Sequence, residues 1–88
     1  MIRRRVIVRG LVQGVFFRDS VRRRAGTAGV SGWVRNTGDG AVEAVFEGEP
    51  DAVSQLGAFC REGPRGARVD AVEVTDEAPE GLRGFAIH

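Results

Sequence analysis

Two stretches with helical spacing, each lying between stretches with strand spacing, constrain the fold of this chain most. The first runs from about residue 17 to residue 27, and its apolar stripe repeats every four residues: Phe17, Val21 and Ala25. The second starts at Pro50, a residue favoured at a first helical position, and ends before Gly63-Pro64. Its apolar face comprises Val53, Leu56, Phe59 and Cys60. Both stretches therefore predict amphipathic helices packed on a common core.

Five stretches of strand character surround these helices, at residues 5–9, 30–36, 41–47, 69–75 and 84–88. In the third, Val42, Ala44 and Phe46 alternate with Glu43, Val45 and Glu47, which predicts one buried and one exposed face. Asp76 to Gly81 reads as an acidic surface loop. The order is β-α-β-β-α-β plus a short terminal strand. This order predicts one α+β domain over residues 1–88, a ferredoxin-like split βαβ sandwich with two helices on one face of an antiparallel sheet.

The composition removes several kinds of chemistry. The chain has one cysteine, Cys60, and one histidine, the terminal His88, so neither a disulfide within the chain nor a zinc site is expected. Every basic residue is arginine, which excludes a Schiff-base lysine and the lysine of a Walker-type phosphate loop. The all-arginine set is most simply a reflection of genomic base composition. We predict no metal and no cofactor.

Charge and hydropathy indicate the surroundings in which the chain works. The formal net charge of +1 is too small to imply nucleic acid, and no apolar run approaches the ~20 residues of a membrane span. We expect a cytoplasmic protein without membrane contact, and a monomer as the default for this size. The arginines at positions 3–5, 9 and 22–24 either form a positive rim that attracts anionic substrates or lie on a solvated face. We favour the solvated face.

The segment from Val8 to Arg18 leads from a strand through two glycines, Gly10 and Gly14, to the start of the first helix. Backbone N–H groups without helical partners converge at such a point, and the helix dipole favours an anion there. A lone glycine loop of this kind is more often an ordinary turn. Arg18 changes the balance, because a basic side chain at a helix N-terminus is unfavourable unless an anion lies beside it. Its guanidinium suits phosphate bidentately.

Two motifs together make the interpretation specific. Gly10-Leu11-Val12-Gln13-Gly14-Val15-Phe16-Phe17-Arg18 is followed about one helix later by Gly32-Trp33-Val34-Arg35-Asn36-Thr37-Gly38-Asp39-Gly40. The pair resembles the acylphosphatase family, and the resemblance covers nearly the whole chain. It implies the ferredoxin-like fold and an enzyme that hydrolyses acyl phosphates without a metal, with small acyl phosphates and inorganic phosphate as partners. Leu11 departs from the usual pattern, as does the glycine-containing, arginine-rich first helix, and neither touches the predicted site.

The resemblance also implies roles for single residues. Arg18 and Asn36 are the catalytic candidates: Arg18 would hold the phosphate, and Asn36 would orient the attacking water through its carboxamide. The predicted phosphate-binding segment comprises Gln13, Gly14, Val15, Phe16, Phe17 and Arg18, acting largely through main-chain N–H groups. Gly10 and Thr37 are supporting candidates. Without the resemblance, Asn36 would first be interpreted as a turn-forming residue at the end of a strand. For Thr37, a structural role in the turn is favoured over a role in the site.

Two other classes of function compete with this one. RNA-binding modules use the same sandwich fold, but they expose stacking aromatics, whereas the central strands here carry Val, Arg and Glu and the chain has no tyrosine. A non-catalytic interaction domain would keep the fold and lose the chemistry, and the intact Arg18 and Asn36 argue against that. We therefore predict no nucleic-acid partner and a working hydrolase.

Overall fold

The computed structural model describes residues 1–14 and 16–88, and its elements follow the predicted order. They are β1 (Ile2–Leu11), α1 (Phe17–Ala28), β2 (Ser31–Asn36), β3 (Val42–Gly48), α2 (Pro50–Glu62), β4 (Arg68–Glu77) and β5 (Phe85–Ile87). The clearest difference is the length of β1, which was predicted at residues 5–9 and also includes residues 2–4 and Gly10 and Leu11, two residues predicted to lie in a loop. Strand β4 likewise continues through Asp76 and Glu77. Among the described residues, no helix is long and apolar enough to span a bilayer.

The five strands form one sheet in the order β4-β1-β3-β2-β5. The four longer strands pair antiparallel, as predicted, whereas β5 pairs parallel with β2, with Phe85 beside Gly32 and Ile87 beside Val34. The complete sheet is therefore mixed, and the predicted ferredoxin-like sandwich is confirmed. The parallel pairing brings the end of the chain alongside the end of β2, where the site described below lies.

The core lies between one sheet face and the two helices. Every residue of the predicted apolar faces is buried: Phe17, Val21 and Ala25 of α1, and Val53, Leu56, Phe59 and Cys60 of α2. They pack on the valines and on Phe46 of the inner strands. Burying each such side chain contributes about 1.5–3 kcal/mol. Burial also raises the pKa of the Cys60 thiol to about 12, so this thiol stays protonated and unreactive.

The sheet face away from the helices carries charge. The alternation in β3 holds, with Val42, Ala44 and Phe46 in the core, but the expected exposure of its other face is wrong. All seven residues of β3 are buried, including Glu43 and Glu47. The reason is a cover on the second face: backbone N–H groups of Glu80, Gly81 and Leu82 donate to the Glu47 carboxylate at 2.9, 3.1 and 3.0 Å. Burial alone would raise the pKa of Glu47. These hydrogen bonds and the Arg3 guanidinium outweigh burial and lower it.

Arg3 and Arg5 belong to this charged face, which corrects the expectation of a solvated surface for these two arginines. Arg3 is only 5% exposed and bonds Glu47 at 2.7 Å and Glu77 at 2.8 Å. Arg5 reaches Glu77 and Glu43, and Glu43 also bonds Arg35 of β2. Because carboxylates neutralise them, Arg3 and Arg5 form no free positive rim. The arginines at 22–24 are exposed, as expected.

Two motif glycines are required by close contacts between strands. A Cβ atom at Gly32 would lie 1.8 Å from the Val45 carbonyl oxygen, and one at Gly10 would lie 2.1 Å from the Arg68 carbonyl oxygen. Both residues also have positive φ angles, 142° and 137°. Gly10 therefore allows β1 and β4 to approach closely, beside the irregularity in their pairing.

Candidate active site

A cavity of about 290 Å³ opens where α1 begins. The loop after β1, the first turn of α1, and the ends of β2 and β5 form its wall. Its lining residues are Val12, Gly14, Phe16, Phe17, Arg18, Asp19, Asn36 and Ile87. The two predicted catalytic residues, Arg18 and Asn36, thus line the same cavity although 18 positions separate them in the sequence.

The backbone at the start of α1 presents donors to this cavity. Phe16 is the N-cap residue, and no side chain caps the helix. The first N–H groups of an α-helix have no partner within the helix and carry its partial positive charge. Gly14 and Phe16 have φ angles of 74° and 59°, in the left-handed region that turns successive N–H groups toward a common point. Val15, predicted to bind phosphate, lies outside the described residues.

Arg18 is half-buried at the cavity wall. Among the residues that the structure describes, no carboxylate forms a salt bridge with it, in contrast to Arg3, Arg5 and Arg9. The neighbouring Asp19 carboxylate is held by two other arginines of α1, Arg22 and Arg23, each at 3.1 Å. A guanidinium and a helix N-terminus therefore add positive potential at one place without an internal counter-ion.

Asn36 is the last residue of β2 and pairs with Val42 of β3. Its carboxamide oxygen, Oδ1, is buried and has no hydrogen-bond partner in the described part of the chain. An unsatisfied buried acceptor costs about 1–3 kcal/mol, and native proteins keep few of them. An acceptor of this kind in a cavity wall suits a donor that arrives with the substrate, such as a water molecule.

Gln13 connects the β1–α1 loop to the turn that follows Asn36. Its amide nitrogen, Nε2, donates to the backbone carbonyl oxygens of Thr37 and Ala41, both at 2.9 Å. The side chain thus faces the β2–β3 hairpin, and Gln13 does not line the cavity. These two hydrogen bonds tie the segment that carries Arg18 to the strand end that carries Asn36.

The hairpin has its own supports. The Thr37 hydroxyl donates to the Asp39 carboxylate and accepts from the Ala41 N–H at 3.0 Å, and Arg9 bonds Asp39 at 3.0 Å. The Thr37 hydroxyl and then the Arg9 guanidinium lower the pKa of Asp39 to about 2, so this carboxylate stays ionised at neutral pH. Thr37 acts here through the turn and does not line the cavity.

Three cavity residues had no assigned role in the sequence interpretation: Val12, Asp19 and Ile87. Val12 belongs to the first motif, but the sequence indicated no role for it. Ile87 reaches the site only because β5 pairs parallel with β2, and no local pattern indicates that contact. Phe17 was predicted to bind phosphate, but its ring is buried against Phe59, with centroids 6.2 Å apart, so only its backbone is available.

A second basic cavity lies between the two helices and differs in kind. It is lined by Ser20, Arg23, Arg24, Phe59, Pro64 and Arg65. Arg24 lies over the Phe59 ring at 4.0 Å, and all three arginines are exposed. No helix begins there, so this cavity lacks the backbone donors of the first. Within residues 1–14 and 16–88, no group of three His, Cys, Asp or Glu side chains is placed to hold a metal ion.

Comparison with known proteins identifies the family. The family model described as acylphosphatase matches residues 4–87. The chain belongs to the acylphosphatase family. An acylphosphatase of Rubrobacter xylanophilus is 63% identical over 84 residues, which cover 94% of this chain and 76% of that relative. One from Roseiflexus sp. is 56% identical, with 99% and 95% covered. The crystal structure of acylphosphatase from Bacillus subtilis superposes with a TM-score of 0.96 at 36% identity, covering 100% and 99%. The predicted family and the predicted enzyme class are confirmed.

Replacing Gln13 with leucine should show whether Gln13 positions Asn36 or binds phosphate. The variant keeps the bulk of the side chain and removes both hydrogen bonds to the hairpin carbonyls, so Asn36 loses its fixed distance from Arg18. We expect kcat to fall about tenfold, since small misplacements of a positioning group slow catalysis. The free energy of unfolding should fall by about 1–3 kcal/mol, because two hydrogen bonds of about 0.5–1.5 kcal/mol each are lost while the N–H groups of Thr37 and Gly40 still bond the two carbonyls. Steady-state kinetics and urea denaturation measure the two effects.

Gln55 supplies the matched control, because it is the other glutamine of the chain and lies exposed on α2. Gln55→Leu should change neither quantity. The inhibition constant for inorganic phosphate should stay constant in both variants. Weaker phosphate inhibition in Gln13→Leu, with kcat preserved, would show that Gln13 binds the anion instead of bracing the hairpin.

Proposed function

We propose that this acylphosphatase hydrolyses the carboxyl–phosphate bond of acyl phosphates by direct attack of water on phosphorus. Arg18 and the backbone N–H groups of the 14–18 segment hold the phosphoryl group, and Asn36 holds the water. The proposal is based mainly on one observation. Within residues 1–14 and 16–88, an arginine without a carboxylate partner and a buried carboxamide oxygen without a hydrogen-bond partner line the same cavity at a helix N-terminus. The arginine favours the binding of an anion, and the carboxamide oxygen favours the binding of a hydrogen-bond donor.

The reaction balances without a covalent enzyme intermediate. The water oxygen forms a bond to phosphorus while the bond from phosphorus to the carboxyl oxygen breaks, and the carboxylate leaves with that electron pair. An acyl phosphate dianion and water thus give a carboxylate and dihydrogen phosphate, which equilibrates with solvent. Because a carboxylate is a good leaving group, the site must position and stabilise charge more than it must create a strong nucleophile.

The side chains at the site suit that task. As the phosphoryl group transfers, charge spreads over its oxygens, and fixed donors aimed at those oxygens stabilise the transition state. The Arg18 guanidinium and the helix N-terminus supply such donors with positive charge, which is the work that a metal ion performs in other phosphoryl-transfer enzymes. We therefore propose that catalysis needs no metal. One chain contributes every residue named, so a monomer suffices.

Turnover in the presence of a chelator tests this function. The purified chain should hydrolyse benzoyl phosphate and release one phosphate per carboxylate, and excess EDTA should leave kcat and KM unchanged. Ultraviolet absorbance follows the loss of substrate, and a phosphate assay gives the stoichiometry. A loss of activity on EDTA treatment that added Mg²⁺ restores would overturn the metal-independent mechanism. Absence of turnover in the folded chain would overturn the function itself.

A further inference from the structure

Phe16 combines two features that each destabilise the folded chain. Its φ angle is 59°, in the left-handed region where residues other than glycine and asparagine are disfavoured, and no other non-glycine residue of the described chain has a positive φ. Its side chain is 79% exposed, so the aromatic ring gains little from burial. Such strain persists mainly at functional sites, where the surroundings impose it. This ring lies at the cavity rim, which indicates a role in binding a ligand there.

The exposed apolar surface of the cavity is concentrated in two residues. Phe16 and Ile87 line the cavity and are 79% and 39% exposed, whereas Val12 and Phe17 are each 1% exposed. Phe16 comes from the N-cap of α1 and Ile87 from β5, so two separate elements bring apolar surface to the place that Arg18 shares. Exposed apolar surface beside a polar cluster is typical of a ligand site.

We propose that Phe16 and Ile87 form an acyl subsite that selects aromatic and longer aliphatic acyl groups over acetyl. The inference rests on the proposed function, because the Arg18 end of the cavity must hold the phosphoryl group. The other end of the same substrate then lies against the remaining exposed wall. That wall carries an aromatic ring and a branched aliphatic side chain.

The expected selectivity follows from the contacts. A benzoyl ring can stack on Phe16 and bury apolar surface that an acetyl group does not have. Differences of a few methylene groups in an apolar site change kcat/KM by about 10–200-fold. The site is open on one side, so we expect the lower end of that range, about tenfold between benzoyl phosphate and acetyl phosphate.

Phe16→Gly tests the subsite without adding strain, because glycine adopts a φ of 59° readily. We would measure kcat/KM for acetyl, butyryl, hexanoyl and benzoyl phosphate in the wild type, Phe16→Gly and Ile87→Ala. Phe16→Gly should lower the ratio of kcat/KM for benzoyl phosphate to that for acetyl phosphate about tenfold, which removes the preference. The ratio is the readout because the backbone of Phe16 belongs to the proposed phosphate-binding segment, and a change in that backbone affects all substrates alike. Ile87→Ala should lower mainly the rate on hexanoyl phosphate. Leu11→Ala is the matched control, because Leu11 is 52% exposed and does not line the cavity.

A binding measurement separates this inference from the proposed function. The stable analogues benzoylmethylphosphonate and acetonylphosphonate differ only in the group attached to the carbonyl, and calorimetry gives their affinities without turnover. The wild type should bind the benzoyl analogue more tightly, and Phe16→Gly should bind both equally. Equal affinities in the wild type, or an equal loss on all substrates in Phe16→Gly, would overturn the subsite. Absent hydrolysis with the binding preference intact would overturn only the proposed function.

Discussion

Arg18→Ala should lower kcat/KM for benzoyl phosphate by at least about a thousandfold, the range found when a transition-state donor or an arginine is removed from a phosphoryl-transfer site. Inhibition by inorganic phosphate should disappear with it, because the same guanidinium holds ground-state and transition-state phosphate. Stability should rise slightly or stay constant. A basic side chain at a helix N-terminus opposes the helix dipole, and within the described chain this one has no carboxylate partner. Steady-state kinetics and thermal melting measure both effects.

Two variants separate the roles of charge and geometry in Arg18. Arg18→Lys keeps the charge and loses the planar pair of donors, so phosphate inhibition should survive in weakened form while kcat remains low. Arg61→Ala removes an exposed arginine from the last turn of α2 and should leave kinetics unchanged. An Arg18→Ala enzyme that retained turnover within tenfold of the wild type would place the phosphoryl group elsewhere.

Asn36→Ala should lower kcat by about a hundredfold or more, because the attacking water loses the acceptor that fixes its position. The inhibition constant of inorganic phosphate should hardly change, since in the proposed mechanism Asn36 binds water and not the phosphoryl group. The stability of the folded chain should stay constant or rise, because the variant removes a buried acceptor without a partner. Denaturant unfolding beside kinetics tests this combination.

The stability result distinguishes the two readings of Asn36. A residue that merely shaped the turn would destabilise the fold when replaced and would leave kcat of the folded enzyme intact. Asn36→Asp keeps an acceptor oxygen and adds a negative charge that repels the substrate dianion, so KM should rise together with the fall in kcat. Ser31→Ala, at the opposite end of the same strand, is the control and should change neither property. A fall in phosphate affinity in Asn36→Ala with kcat preserved would contradict the assigned role.

Local patterns predicted the parts of the fold that follow from local physics. The four-residue spacing of Phe17, Val21 and Ala25 reflects helix geometry, and all three are buried as that spacing requires. The motif glycines were identified from the sequence, but the reason for two of them lies in contacts between strands. Gly32 and Gly10 carry no side chain because a neighbouring backbone lies where a Cβ would stand.

Such patterns could not predict contacts between residues that are distant in the sequence. The ion pairs of Arg3 with Glu47 and Glu77 join residues 44 and 74 positions apart, so the sequence reads as scattered surface charge where the structure has a buried network. Glu47 becomes a core residue only when the loop after β4 folds over it. Likewise, Ile87 joins the cavity because β5 pairs beside β2, and the unpartnered state of Asn36 Oδ1 exists only in the folded chain.

Every proposed residue role depends on where the phosphoryl group binds. Nitrogen–proton correlation spectra test that position directly. Titration of the ¹⁵N-labelled chain with inorganic phosphate should shift the backbone amides of residues 14–18 most, with saturation at the inhibition constant measured by kinetics. Arg18→Ala should abolish these shifts. Largest shifts instead at the second basic cavity, around Ser20, Arg24 and Arg65, would contradict the account.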